Sequence, residues 1–242
     1  MRAMVLAAGL GTRLRPLTNE RPKALVEVAG KTLLEITLAR LREFGIREVI
    51  VNAHHFAEML VEYLKAHDNL GMHIEVSREE VLLDTGGGLK KAASFFMNSD
   101  EPFVVHNVDV LSTIDLGRMA EAHRTSGALA TLAVQDRKTS RHLLFDDDLQ
   151  LCGRRARQDQ IVRTASRLSA LAFSGIHVVS PRIFSLMKED GVFSIIDVYL
   201  RLAGDGEKIT AFRADDYYWR DLGKQENIEQ AEEDIRNKIL PQ

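Results

Sequence analysis

Near its start the chain runs Met4-Val5-Leu6 into Ala7-Ala8-Gly9-Leu10-Gly11-Thr12-Arg13-Leu14-Arg15-Pro16-Leu17-Thr18, with Arg21-Pro22-Lys23 close behind. A short unbroken apolar run reads as a strand covered on both faces, and such strands belong to parallel sheets packed between helices. Its exit onto two glycines predicts a tight turn whose backbone N–H groups can approach a phosphate, with Arg13 and Lys23 able to neutralise it from two sides. The turn lacks the Gly-Lys-Ser/Thr ending of a P-loop, and its glycine spacing misses the dinucleotide fingerprint, so ATPase and dehydrogenase readings both lose support. A tight strand exit carrying solvated charges is the plain structural alternative.

Helical and extended patterns alternate through the rest of the chain. Leu34, Leu38 and Leu41 recur at helical spacing over 31–44, and Gly45 supplies a stop. A strand is expected over 48–53, a helix over 56–66, a strand over 73–77, a glycine turn at 85–88, a helix over 89–96 and a strand over 103–108, which Pro102 is placed to start. Asp115 is a natural N-cap for a helix over 116–123, ahead of a strand over 129–134. The stretch 137–175 is less regular, with 142–145 and 149–152 flanking Asp146-Asp147-Asp148 as a hairpin expected to lie over the sheet. A strand over 170–179, helices over 183–187 and 194–202, a strand over 209–213 and a polar helix over 225–238 complete the pattern. Strand–helix alternation with short links predicts right-handed crossovers, hence an α/β, three-layer α/β/α Rossmann-like fold with a mostly parallel mixed sheet. No linker or repeat interrupts it, so residues 1–242 are expected to form one domain.

Composition removes several classes of function. At 242 residues and 45% hydrophobic content the chain can bury a core, and 32 basic against 35 acidic residues leave a net charge of -3, which argues against a nucleic-acid-coating surface. Cys152 stands alone, so it can form neither an internal disulfide nor a thiolate metal cluster, and suits a reducing cytoplasm. No run approaches the ~18 apolar residues of a membrane span. The first apolar run is followed by Arg13 and Arg15 and not by a cleavage site, so it reads as a core strand and not a signal peptide.

Chemistry-bearing residues recur downstream. Asp84-Thr85-Gly86-Gly87-Gly88-Leu89 opens the third expected helix, where free N–H groups could face an anion or a nucleotide edge. Asp109 follows the apolar strand and His106-Asn107-Val108, at a position where a carboxylate can hold hydrated Mg²⁺ beside phosphates, or serve as a cap. Asp221, in Trp219-Arg220-Asp221-Leu222-Gly223, is a second such carboxylate, or a cap ahead of Gln225. His54, His55 and His106 lack zinc spacing and suit buried hydrogen bonds equally well. Glu79 and Glu80 could approach a base edge, with solvent exposure as the plainer reading, and Gly175 in Phe173-Ser174-Gly175-Ile176 could mark a bulge.

The segment from Leu6 to Thr18, with Pro22-Lys23 and Val28-Ala29-Gly30-Lys31-Thr32-Leu33-Leu34, resembles the signature of the nucleoside-diphosphate-sugar pyrophosphorylases, also called sugar-1-phosphate nucleotidyltransferases. The resemblance implies that Leu6, Ala7, Ala8, Gly9, Gly11 and Thr12 hold an NTP together with Glu79, Thr85, Gly86 and Gly87. It further implies that Arg13, Lys23 and Asp109 act at the reacting phosphates and that Asn107, Gly175 and Asp221 meet a sugar 1-phosphate. Asp109 and Asp221 are the implied ligands of Mg²⁺. The Thr-Gly-Gly-Gly form points to UTP and N-acetylmuramate 1-phosphate as the first substrates. Another sugar 1-phosphate, phosphocholine, or a nucleotide-sugar sensor without turnover are the alternatives. The chain departs from the family at Val108, where glycine is usual, at Lys224, where threonine is frequent, and in lacking the mid-chain Glu-Lys-Pro segment and a C-terminal solenoid. Tyr217-Tyr218-Trp219 could be a pocket wall or a dimer surface, which leaves the oligomeric state open.

Overall fold

Parallel pairing begins at the first strand, Ala3–Leu6, which lies beside Glu48–Ala53 in the register Ala3↔Val49 to Leu6↔Asn52. Glu48–Ala53 in turn pairs in parallel with His73–Arg78. These strands require crossover helices, and the chain supplies them at Leu33–Glu43 and Ala57–Ala66. The first helix starts where local chemistry dictates. Thr32 accepts from the Glu35 N–H while the Glu35 carboxylate accepts from the Thr32 N–H, a reciprocal cap worth about 1 kcal/mol. Its apolar stripe of Leu34, Leu38 and Leu41 is buried, as its spacing predicts, and Gly45 follows at φ 74°. The computed structural model describes residues 1–237.

The chain divides into two compact units. One comprises Met1–Leu83, His106–Ile114 and the segment from Tyr217 onward. It adds to the parallel strands two small antiparallel pairs, Glu27–Val28 with Lys31–Thr32 and Val110–Ser112 with Trp219–Asp221. The helix Gln225–Arg236 buries Ile228 and Ala231, and its Asp234 accepts from the Tyr218 hydroxyl and from Arg220; residue 238, the expected end of this helix, lies outside the described residues.

The other unit comprises Asp84–Val105 and Asp115–Asp216. Ala130–Gln135 pairs in parallel with Ile209–Arg213 and antiparallel with the long strand Ser169–Val179. The hairpin joining His142–Phe145 to Leu151–Arg154 forms around Asp146, whose carboxylate accepts from the Asp148 and Gln150 N–H groups. It does not lie over the sheet. His142–Phe145 bonds along its length to Ser169–Ala172 and so extends the sheet edgewise. Asp115 caps Leu116–Ser126 through the Arg118 N–H. Phe96 stacks on Phe103 at 3.9 Å and Phe184 on Phe103 at 5.7 Å, an aromatic cluster at this unit's core. The chain is thus an α/β protein with alternating helices and a mixed, partly parallel sheet, of the Rossmann-like three-layer class.

Candidate active site

The glycine turn folds as its residue types demand. Gly11 sits at φ 62°, and a Cβ there would meet Thr18 Cγ2 at 2.9 Å and Lys23 Cβ at 3.2 Å. Its carbonyl accepts from the Leu14 N–H and from Thr18 Oγ1, both at 2.8 Å, so the turn closes on itself around a short helical turn, Thr12–Leu14. Gly9 is exposed, with open space where a Cβ would project. Ahead of it the Ala7 and Ala8 N–H groups both donate to Asn52 Oδ1, at 2.7 and 3.3 Å.

Four charged side chains gather in the same unit. Lys23, at the start of a second short helical turn led by Pro22, forms an ion pair with Asp109, and both side chains are largely buried. Arg13 is exposed, and its Nη2 lies 3.9 Å from Asp221 Oδ2. The two aspartates, remote in sequence, come together because Asp221 stands opposite Val110 in the Val110–Ser112 and Trp219–Asp221 pair and the Leu222 N–H donates to the Asp109 carbonyl at 2.7 Å. Asp221 is not a cap of the following helix. Its Oδ1 accepts from the Gly223 N–H at 2.6 Å, its carbonyl accepts from Asn227 Nδ2, and Lys224 occupies the N-cap position. Lys224 points its ammonium at Glu226 on the surface.

Val108, where the family resemblance leads one to expect glycine, is buried and is not among the residues at positive φ. Its N–H donates to the Leu6 carbonyl, and its own carbonyl accepts from Thr37. The imidazole of His106 is buried beside it, bonded through Nδ1 to the Asn107 carbonyl, and burial holds its pKa down at about 4, so the ring is neutral. His54 bonds to the Glu79 carbonyl, and the His55 ring lies against Phe56.

Glu79 corrects the expectation of an exposed carboxylate. It is 4% exposed, with Oε1 accepting from Asn52 Nδ2 and Oε2 from the Leu83 N–H. Asn52 is a residue of this site that no motif announces; its only signal in the sequence is one amide in the otherwise apolar run Val49-Ile50-Val51-Asn52-Ala53.

In the other unit, Gly86 and Gly87 lie inside the helix Asp84–Lys91 and not in a turn before it. Their N–H groups, expected to be free, donate to the Phe193 carbonyl at 2.9 and 3.2 Å, and Thr85 Oγ1 accepts from the Ile195 N–H. Asp84 starts this helix at φ 58°. Gly175, at φ 74°, falls in the register shift between Phe173 and His177, the bulge its sequence suggests.

Asp109 and Asp221 offer hard oxygen donors on adjacent backbone segments. Among the described residues no cluster of three or more His, Cys, Asp or Glu side chains gathers. A magnesium ion that carries substrate phosphates needs only one or two carboxylates, so this donor set fits it.

Such an α/β fold, with paired cations and carboxylates beside a glycine turn, is that of a nucleotidyl transferase: the chain belongs to the nucleotidyl transferase family, matching it over residues 2–145. It is 38% identical over 213 residues to the N-acetylmuramate alpha-1-phosphate uridylyltransferase of Caulobacter vibrioides, covering 84% of this chain and 85% of that one. It is 29% identical over 260 residues to a UTP–glucose-1-phosphate uridylyltransferase of Synechocystis, covering 100% and 66%. Among solved structures, HddC from Yersinia pseudotuberculosis complexed with GMP-PN shares the fold with a TM-score of 0.78 over 97% of this chain and 99% of that one, at 21% identity. Among the described residues no helix is long and apolar enough to cross a membrane.

Proposed function

We propose that this chain transfers a nucleoside monophosphate from an NTP to a sugar 1-phosphate in a reducing cytoplasm, with UTP and N-acetylmuramate 1-phosphate as its substrates. The observation that carries the reading is the Lys23–Asp109 pair beside the Gly11 turn, with Arg13 in that turn facing Asp221 on the segment that adjoins Asp109. Two cations balance two carboxylates there. An arriving triphosphate is a stronger partner for Arg13 and Lys23 than either aspartate, and drawing the cations onto it frees Asp109 and Asp221. Those carboxylates would hold Mg²⁺, which when bound offsets the phosphate charge.

In the transfer itself an oxygen of the sugar phosphate attacks the α-phosphorus, a new P–O bond forms, the bond to the β-phosphate breaks, and pyrophosphate leaves with the electron pair. No protein nucleophile is required, so positioning and charge stabilisation supply the rate. Lys23 aligns the reacting phosphate and Arg13 steadies the departing one. Leu6, Ala7, Ala8, Gly9, Gly11 and Thr12 form the nucleotide side. Thr85, Gly86 and Gly87 are assigned to the nucleotide by the family resemblance alone, since Thr85 Oγ1 is engaged by the Ile195 N–H and the two glycine N–H groups by the Phe193 carbonyl. Asn107 and Gly175 are assigned to the sugar.

The substrate pair draws on the Thr85-Gly86-Gly87-Gly88 form and on the 38% identity to the Caulobacter enzyme. The test is pyrophosphate release across four NTPs and a panel of phosphorylated acceptors with Mg²⁺. The highest kcat/KM is expected for UTP with N-acetylmuramate 1-phosphate. A clear preference for dTTP with glucose 1-phosphate, or for CTP with phosphocholine, overturns the substrate pair alone. NTP binding without turnover of any acceptor overturns the enzyme reading in favour of a sensor.

A further inference from the structure

The buried carboxamide of Asn52 is a costly group in a core strand, and the bonds to its oxygen lead to the entry of the nucleotide turn. Register explains its reach. Asn52 stands opposite Leu6, the last residue of the first strand, so its side chain continues past that strand's end and takes up the next two N–H groups, those of Ala7 and Ala8. Its amide nitrogen donates to Glu79 Oε1 at 2.7 Å, and Glu79 Oε2 accepts from the Leu83 N–H at 3.0 Å. Glu79 is itself tied down at both ends, its N–H donating to Ala53 and its carbonyl accepting from His54. Asn52 and Glu79 are 3% and 4% exposed, so all these bonds are made away from water, where a lost partner leaves an unsatisfied group.

We propose that Asn52 and Glu79 are positioning residues, a buried relay that anchors the entry of the Gly9–Gly11 turn and thereby sets the affinity for the NTP. A turn with two glycines loses much conformational freedom when it closes on a ligand. Fixing Ala7 and Ala8 in advance removes part of that loss, and turning their N–H groups inward leaves those from Gly9 onward to face the phosphates. Each Glu79 oxygen accepts one bond within this relay. The kinetic consequence rests on the nucleotidyl-transfer reading; the anchoring does not.

The bond pattern allows a swap test. In Asn52→Asp, a carboxylate oxygen faces the Glu79 carboxylate. In Glu79→Gln, the new amide group meets either the Asn52 amide or the Leu83 N–H, donor against donor. In the double variant the carboxylate at position 52 accepts from Ala7, Ala8 and the amide nitrogen at position 79, whose carbonyl oxygen accepts from Leu83, so every bond is restored with the charge moved. Each single variant is expected to raise KM for the NTP by about tenfold while leaving KM for the acceptor within about twofold, and the double to return within about threefold of wild type. Amide hydrogen exchange at Ala7 and Ala8 should be fast in the singles and slow in wild type and the double. Should Asn52→Asp not fold, comparison of Glu79→Gln with the double carries the test. Singles with wild-type KM and exchange, or a double no better than the singles, overturn the relay. A wild type that releases no pyrophosphate overturns the transfer reading instead, while exchange at Ala7 and Ala8 still decides the anchoring.

Discussion

Gly223 marks the closest approach in the charged site. A Cβ there would lie 2.5 Å from Arg13 Nη2 and 2.6 Å from Asp221 Oδ1. The arginine end is flexible and exposed, so it can step aside at little cost in stability, but it then leaves the place it would hold against a phosphate. Gly223→Ala is therefore expected to keep Tm within about 2 °C of wild type and to lower kcat/KM by roughly tenfold or more. Unchanged kinetics would show that Arg13 is not needed there. Arg13, Lys23, Asp109 and Asp221, which the structure brings together, are legible in the sequence through the family resemblance of their segments, since a strand-end aspartate read alone is as readily a cap. Asn52 is not, since one amide at the end of an apolar strand breaks no pattern. Glu79 defeats expectation for a related reason: acidic residues are usually exposed, and its burial is made tolerable by the Leu83 N–H together with Asn52, a partner 27 residues away in sequence.

At the scale of elements, caps and periods are readable where their causes are local. Thr32 with Glu35, and Asp115 with the Arg118 N–H, place two helix starts within one or two residues of expectation. The Val110–Ser112 and Trp219–Asp221 pair, which joins the two aspartates, leaves no readable signal because three residues are too few to show a period of two. The glycine run shows tertiary context overriding intrinsic preference. Three glycines predict a turn, yet the Phe193 carbonyl, accepting from Gly86 and Gly87, holds them in a helix. Helix propensity alone would favour alanine at Gly86 by about 1 kcal/mol. A Cβ there meets the Phe193 ring at 2.5 Å and its carbonyl oxygen at 2.9 Å, and a backbone carbonyl cannot yield as a side-chain tip can. The clash, on the order of 1–3 kcal/mol, should win. Gly86→Ala is expected to lower the urea midpoint, and an equal or higher midpoint would mean that Phe193 does not constrain this turn.

At the scale of the whole chain, the α/β class follows from alternation, while the division into two compact units leaves no trace in composition. The chain passes between the units at Leu83/Asp84, Val105/His106, Ile114/Asp115 and Asp216/Tyr217, and discontinuous units need no linker to announce them. Each unit carries a buried neutral histidine, His106 in one and His123 in the other. His123, on the helix Leu116–Ser126, lies between Thr131 Oγ1 and Ser180 Oγ at 2.9 Å each, and burial, with the charge of Arg124 adding to it, pushes its pKa down to about 4. The ordinary histidine value is about 6.5, so between about pH 6.5 and 4 the unfolded chain binds a proton that the folded chain refuses. Stability should be level above that window and fall as pH drops through it, by at most about 1.4 kcal/mol per pH unit for each histidine, before levelling near pH 4 as the folded form takes up the proton. Carboxylates held low by their cations, such as Glu189 beside Arg201 and Glu207 beside Arg182, add their own losses only nearer pH 4 and below, which leaves pH 5–6.5 to the histidines. Urea unfolding at pH 7.5, 6.5, 5.75 and 5 is the measurement. Wild-type stability should decline across the last three values, and His123→Gln, whose amide can still bond to both hydroxyls but cannot titrate, should decline about half as steeply. A flat wild-type profile, or an unchanged slope in His123→Gln, would mean that His123 takes up its proton in the folded state at an ordinary pH.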